Sequence, residues 1–190
     1  MMDAKQDTPG PAHGARIDKD GEKWTLVVTR ELRHSPEKVW QALTDPEMSQ
    51  RYFHGSRLEI EPKIGGSFVI RFPDGRINVR GEVVEWSPPR RFASTWTVEW
   101  MPEFRELPPS LVSYDVEQSG VSVRLTMTES YQWDAPEALL SGGRSGWPAI
   151  LSSLKSVLET GEPLVIKLEP PSGMMEAVKA AVAAKPWLKG

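Results

Sequence analysis

Trp24-Thr-Leu-Val-Val-Thr-Arg-Glu-Leu-Arg-His-Ser-Pro-Glu-Lys-Val-Trp-Gln-Ala-Leu-Thr-Asp-Pro-Glu47 is the stretch on which the fold turns. Its first third, Trp24 to Leu32, is β-branched and partly alternating, with Leu26, Val28, Arg30 and Leu32 on one face, which predicts a strand. Two matched helix starts follow. Ser35-Pro36-Glu37 and Asp45-Pro46-Glu47 each set a capping side chain before a proline at the first helical position, with an acid near the positive helix end. Two short helices are therefore expected, the first carrying Val39, Trp40 and Leu43 along one side.

Downstream, short strands alternate with turn signals: Arg57 to Ile60, Gly65-Gly66, Ser67 to Phe72, Pro73-Asp74-Gly75, then Arg76 to Trp86. Pro88-Pro89-Arg90-Arg91 breaks the chain before Phe92 to Met101, where Phe92, Ser94, Trp96, Val98 and Trp100 share a face. A Pro-rich loop leads to a last hairpin, Leu111 to Gln118 and Val121 to Tyr131, about Ser119-Gly120. From about Gly146 to Thr160, Trp147, Ile150, Leu151, Leu154, Val157 and Leu158 follow the helical template, and Gly161 stops the helix. The expected architecture is α+β: a curved antiparallel sheet of six to seven strands wrapped around a long C-terminal helix, with two short helices after the first strand, a helix-grip fold. Residues 1–22, polar and rich in Gly and Pro, read as a disordered arm before a domain at 23–163. Residues 164–190 form an extension whose Ala-rich part, Met174 to Lys185, favours a short helix.

The motifs Ser35-Pro-Glu-Lys-Val-Trp-Gln-Ala-Leu-Thr-Asp-Pro-Glu47, Gly65-Gly-Ser-Phe68, Gly81-Glu-Val-Val-Glu85 with Pro88-Pro-Arg-Arg91, Thr95-Trp96, and Gly146-Trp-Pro-Ala-Ile-Leu-Ser-Ser-Leu-Lys155 occur in one order. Together they resemble the START-like (SRPBCC) superfamily, in particular the family similar to the C-terminal domain of the activator of the heat-shock-protein-90 ATPase. The resemblance spans roughly Trp24 to Pro163. It implies a sheet-and-helix cavity for a small apolar or aromatic molecule, or a chaperone ATPase-stimulating module tied to the stress response, or a cyclase-like enzyme. A second copy of the chain is a further expected partner, with Met174 to Trp187 nominated for the contact.

Composition narrows the classes. Hydrophobic residues make up 39% and charged residues 26% of the 190, as in an ordinary globular protein, and no stretch approaches the ~18 apolar residues of a membrane span. The cytoplasm is the expected location. A net charge of -3 gives no field for a nucleic-acid backbone. The absence of cysteine removes disulfides, thiolate metal sites and cysteine nucleophiles.

Eight tryptophans either fill the core or wall a concave site, since each buried indole removes ~150–250 Å² from water. The expected ligand-binding set is Arg30, Phe68, Glu82, Trp96, Trp100, Tyr114, Glu129, Trp147 and Leu151. Arg30 and Glu129 stand in phase with apolar neighbours. Each is solvent-facing or in a rim salt bridge, or an inward charge needing the other or a ligand as partner; Glu82 is read the same way. Catalytic templates fit poorly, and no catalytic residue, cofactor or metal is expected. Gly142-Gly-Arg-Ser-Gly146 has the wrong glycine spacing for a nucleophile turn and reads as a helix-start loop, and Ser152-Ser-Leu-Lys155 lacks the companion motifs of serine acyl-enzymes. His13, His34 and His54 show no metal-ligand spacing.

Overall fold

The computed structural model describes residues 15–167 and 169–188. Strand β1 (Ala15–Asp20) turns through Gly21, at φ 59°, into β2 (Lys23–Leu32). Helices α1 (Pro36–Thr44) and α2 (Pro46–Tyr52) follow. Ser35 Oγ accepts the Lys38 amide at 3.3 Å, and Asp45 Oδ1 accepts the amides of Glu47 and Met48 at 2.8 and 3.0 Å. Each cap satisfies amides that a helix start otherwise leaves open, a contribution of about 1 kcal/mol apiece.

The meander comprises β3 (Arg57–Ile60), β4 (Ser67–Arg71), β5 (Ile77–Ser87) and β6 (Arg91–Val98). A single-turn helix α3 (Pro102–Arg105) leads to β7 (Ser110–Ser119) and β8 (Ser122–Tyr131). All pairings are antiparallel, in the order β1-β2-β8-β7-β6-β5-β4-β3. The early strand β2 thus lies against the late β8, where Leu26 faces Glu129 and Arg30 faces Leu125. Helix α4 (Glu137–Thr160) packs its apolar stripe on the sheet and ends at Gly161, whose φ of 83° suits the left-handed cap. Leu151 and Leu154 on that stripe are 1% and 0% exposed, and burying such a side chain contributes about 1.5–3 kcal/mol. Helix α5 (Met174–Ala184) packs against α3 and α4.

The α+β helix-grip architecture is as expected, with two differences. The sheet has eight strands. The extra one is β1, within the stretch read as an arm; its alternation is thin because Ala15 and Ile17 alone turn toward the core. The rest of the arm, residues 1–14, lies outside the described residues. Helix α4 starts at Glu137, so Gly142 to Gly146 lie inside it and do not form a loop before it. Glycine disfavours helix by about 1 kcal/mol per residue, and here packing overrides that preference. A Cβ on Gly143 would stand 3.0 Å from Leu26 Cδ2 and 3.2 Å from Glu129 Oε2, so a bare backbone lets α4 settle onto β2 and β8.

Candidate functional site

The core divides in two. The larger part lies between the sheet and α4; the smaller gathers Phe104, Leu107, Tyr131, Trp133, Leu140, Met174 and Val178 under α5. Along their border runs a cavity of about 490 Å³. Its sheet wall is Asn78 and Val79 of β5, Trp96 and Val98 of β6, and Glu129 and Tyr131 of β8. Its helix wall is Leu139 to Ile150 of α4, while Phe53, Phe72, Trp100 and Phe104 close the sides. The last wall is Glu169, Pro170, Pro171 and Met174, from the segment entering α5.

Trp147 organises the aromatic surface. Its ring meets Trp96 edge-on at 5.1 Å between centroids, Phe53 at 6.3 Å and Tyr114 at 6.4 Å. Such edge-to-face contacts set the positive rim of one ring on the negative face of the next. Trp100 stacks on Phe104 at 5.9 Å and is 39% exposed, so this pair reaches the mouth.

Glu129 is the polar centre, 4% exposed. Its Oε1 accepts from Ser110 Oγ at 2.8 Å and from the Tyr131 hydroxyl at 2.9 Å, and its Oε2 accepts from Trp147 Nε1 at 2.7 Å. Charge-assisted bonds of this length offset part of the desolvation of a buried carboxylate. Burial, the Glu129 charge and the bond to it together hold the Tyr131 phenol well above its ordinary pKa. It therefore stays protonated and keeps donating. Burial likewise raises the Tyr114 phenol, with Tyr52 and Glu129 adding to the shift.

The structure brings together four of the nine expected site residues at this cavity: Trp96, Trp100, Glu129 and Trp147. Phe68, Tyr114 and Leu151 are buried in the larger core behind it. Glu82 is exposed on the outer face of β5; a bulge in the β5–β6 pairing between Val83 and Glu85 spoils a strict two-residue count near it. Arg30 is buried at 5% exposure, not at the rim, and lies away from the cavity under α4. Its guanidinium donates to Pro148 O at 2.8 Å, to Ser152 Oγ at 3.0 and 3.2 Å, and to Thr29 O at 2.8 Å. Arg30 and Glu129 therefore do not pair with each other; each is satisfied by neutral groups.

Sequence reading missed Phe53, Phe72, Phe104 and the wall from Glu169 to Met174. Phe53 and Phe104 sit at element ends, where no periodicity marks an inward side chain, while Phe72, just past β4, is in phase with the buried Phe68 and Ile70, the signal that could have found it. The last is a Pro-rich connector whose only signal was the helix after it. Among the described residues no cluster of three or more His, Asp or Glu is placed to hold a metal ion, and no helix is long and apolar enough to cross a membrane.

A family model described as activator of Hsp90 ATPase homolog 1-like protein matches residues 33–159. No curated protein matches the sequence. Among solved structures, protein MLL2253 from Mesorhizobium loti is 26% identical with a TM-score of 0.60, over 71% of this chain and 96% of that one. CalU16 from Micromonospora echinospora is 23% identical with a TM-score of 0.60, over 90% of this chain and 91% of its own. PFC0360w, an HSP90 activator from Plasmodium falciparum, is 22% identical with a TM-score of 0.57, over 73% of this chain and 96% of its own. The last two likenesses are of fold alone.

Proposed function

We propose, from the premise that this chain belongs to the activator of Hsp90 ATPase homolog 1-like family, that it captures a small apolar or aromatic molecule between its sheet and helix α4. The observation that carries this reading is the cavity of about 490 Å³, walled by aromatic rings around one hydrogen-bonded polar centre. Its size falls in the ~300–1,000 Å³ range of small-molecule sites, and its make-up is the usual one, apolar walls with few convergent polar groups. Trp96, Trp100 and Trp147 are the proposed contact surface and Glu129 the orienting group.

Native mass spectrometry of freshly purified protein is expected to show a retained molecule, and apolar aromatic compounds are expected to shift tryptophan emission saturably at micromolar concentration. Flat emission across a broad compound set, with no retained mass, would remove this reading. Gly146 lines the cavity, and a Cβ there meets nothing within 4 Å. Gly146→Phe is therefore expected to occupy the space and abolish the emission response while the fold persists.

A second reading takes its support from the family description and from the fold shared with an HSP90 activator. In that reading the protein stimulates a chaperone ATPase. Saturating protein should then raise chaperone turnover, and an unchanged rate would exclude it.

A further inference from the structure

Charge is distributed unevenly around the cavity. Its described lining includes no Lys, Arg or His, yet it holds the buried Glu129 and, at the exposed edge, Glu169. No ion pair among the described residues includes Glu129, and its three donors, Ser110, Tyr131 and Trp147, are neutral. A carboxylate offers about four acceptor positions, so one stays open after three bonds. Two of those bonds fall on Oε1 and one on Oε2, which places the open position on Oε2. The surrounding ring faces carry negative potential and attract cations, tryptophan most of all. A cleft of one sign with low-dielectric walls concentrates the opposite charge.

We infer that the molecule bound in this cavity is a cation: a protonated amine on an apolar or aromatic body, its N–H directed to Glu129 and its charge set among Trp96, Trp147 and Phe53. This rests on the proposed ligand-binding role and names the chemical class it selects. An anionic ligand, such as a fatty acid or an aryl carboxylate, meets repulsion from both glutamates and finds no cation in the lining. A neutral aromatic molecule gains the same apolar contact without the charge.

Calorimetric titration with three probes of one shape tests the inference: 1-naphthylmethylamine as cation, 1-naphthalenemethanol as neutral and 1-naphthoate as anion, all at pH 7 and low salt. The amine is expected to bind about ten-fold more tightly than the alcohol, the worth of one charge-assisted hydrogen bond, and the carboxylate not measurably. Glu129→Gln should weaken the amine more than the alcohol and so erase the ten-fold preference, while heat still drawn from the alcohol reports that the cavity survives. Should that variant not fold, Glu169→Lys at the exposed edge is expected to weaken the amine alone by about three-fold, an effect that added salt screens away. Equal or tighter binding of the alcohol or the carboxylate would overturn the cationic selectivity and leave the cavity reading standing. No heat from any probe would overturn both.

Discussion

Two charged side chains are as deeply placed as the leucines around them, Arg30 at 5% and Glu129 at 4% exposure. Both stood out in the sequence, because each interrupts an apolar face. What could not be read there was their company: Ser152 lies 122 positions from Arg30, and Trp147 lies 18 from Glu129. Only the seating of α4 on the sheet brings these groups within bonding distance. Glu129→Ala leaves three buried donors without an acceptor. It is expected to destabilise the fold by about 3–5 kcal/mol, read as a lower urea midpoint at unchanged slope. Trp147→Phe keeps most of the ring and deletes one donor, for an expected cost of about 1–3 kcal/mol by the same measurement. Arg30 differs, since burial disfavours its charged form and no carboxylate compensates it. An apolar side chain of similar length, Arg30→Met, is expected to lie within about 1 kcal/mol of the parent, whereas Arg30→Ala opens a cavity and should cost about 2–4 kcal/mol.

Elements with strong local chemistry were legible and those shaped by packing were not. The capped starts at Ser35 and Asp45, the alternation of β7 and β8, and the stop at Gly161 are local signals, and the structure carries each of them. The start of α4 was hidden by Gly142, Gly143 and Gly146, of which Gly143 serves close approach, and β1 by its thin apolar face. Gly81 in β5 shows how far such approach goes: a Cβ there would fall 1.8 Å from Thr95 O, while the next amide, Glu82 N, donates to Thr95 Oγ1 at 2.9 Å. Gly81→Ala must push β5 and β6 apart next to Trp96, for an expected loss of about 3 kcal/mol or more in denaturant unfolding. Gly146→Ala is expected to do the opposite. Its Cβ meets open space, and the gain in helix propensity should raise stability by about 1 kcal/mol in the same assay.

At the scale of the whole molecule, the order of elements was readable in the sequence and the placing of the C-terminal extension was not. Its alanines and valines have the same pattern whether α5 stands free or docks. In the structure Met174, Val178 and Ala181 are buried against Phe104, Leu107 and Leu140, so the extension completes a second core and one wall of the cavity. Removing residues from 164 onward is expected to lower the melting temperature by roughly 5–10 °C, the equivalent of two or three lost apolar contacts. The shortened protein should bind more of a hydrophobic dye than the full chain does. The position of that wall also sets an order of events in the cell. The ribosome delivers every other side of the site before Glu169, Pro170, Pro171 and Met174 emerge, and at about 5–20 residues per second the delay between α4 and this segment lasts on the order of a second. Under the ligand-binding role proposed above, stable retention of a guest therefore follows synthesis of the extension.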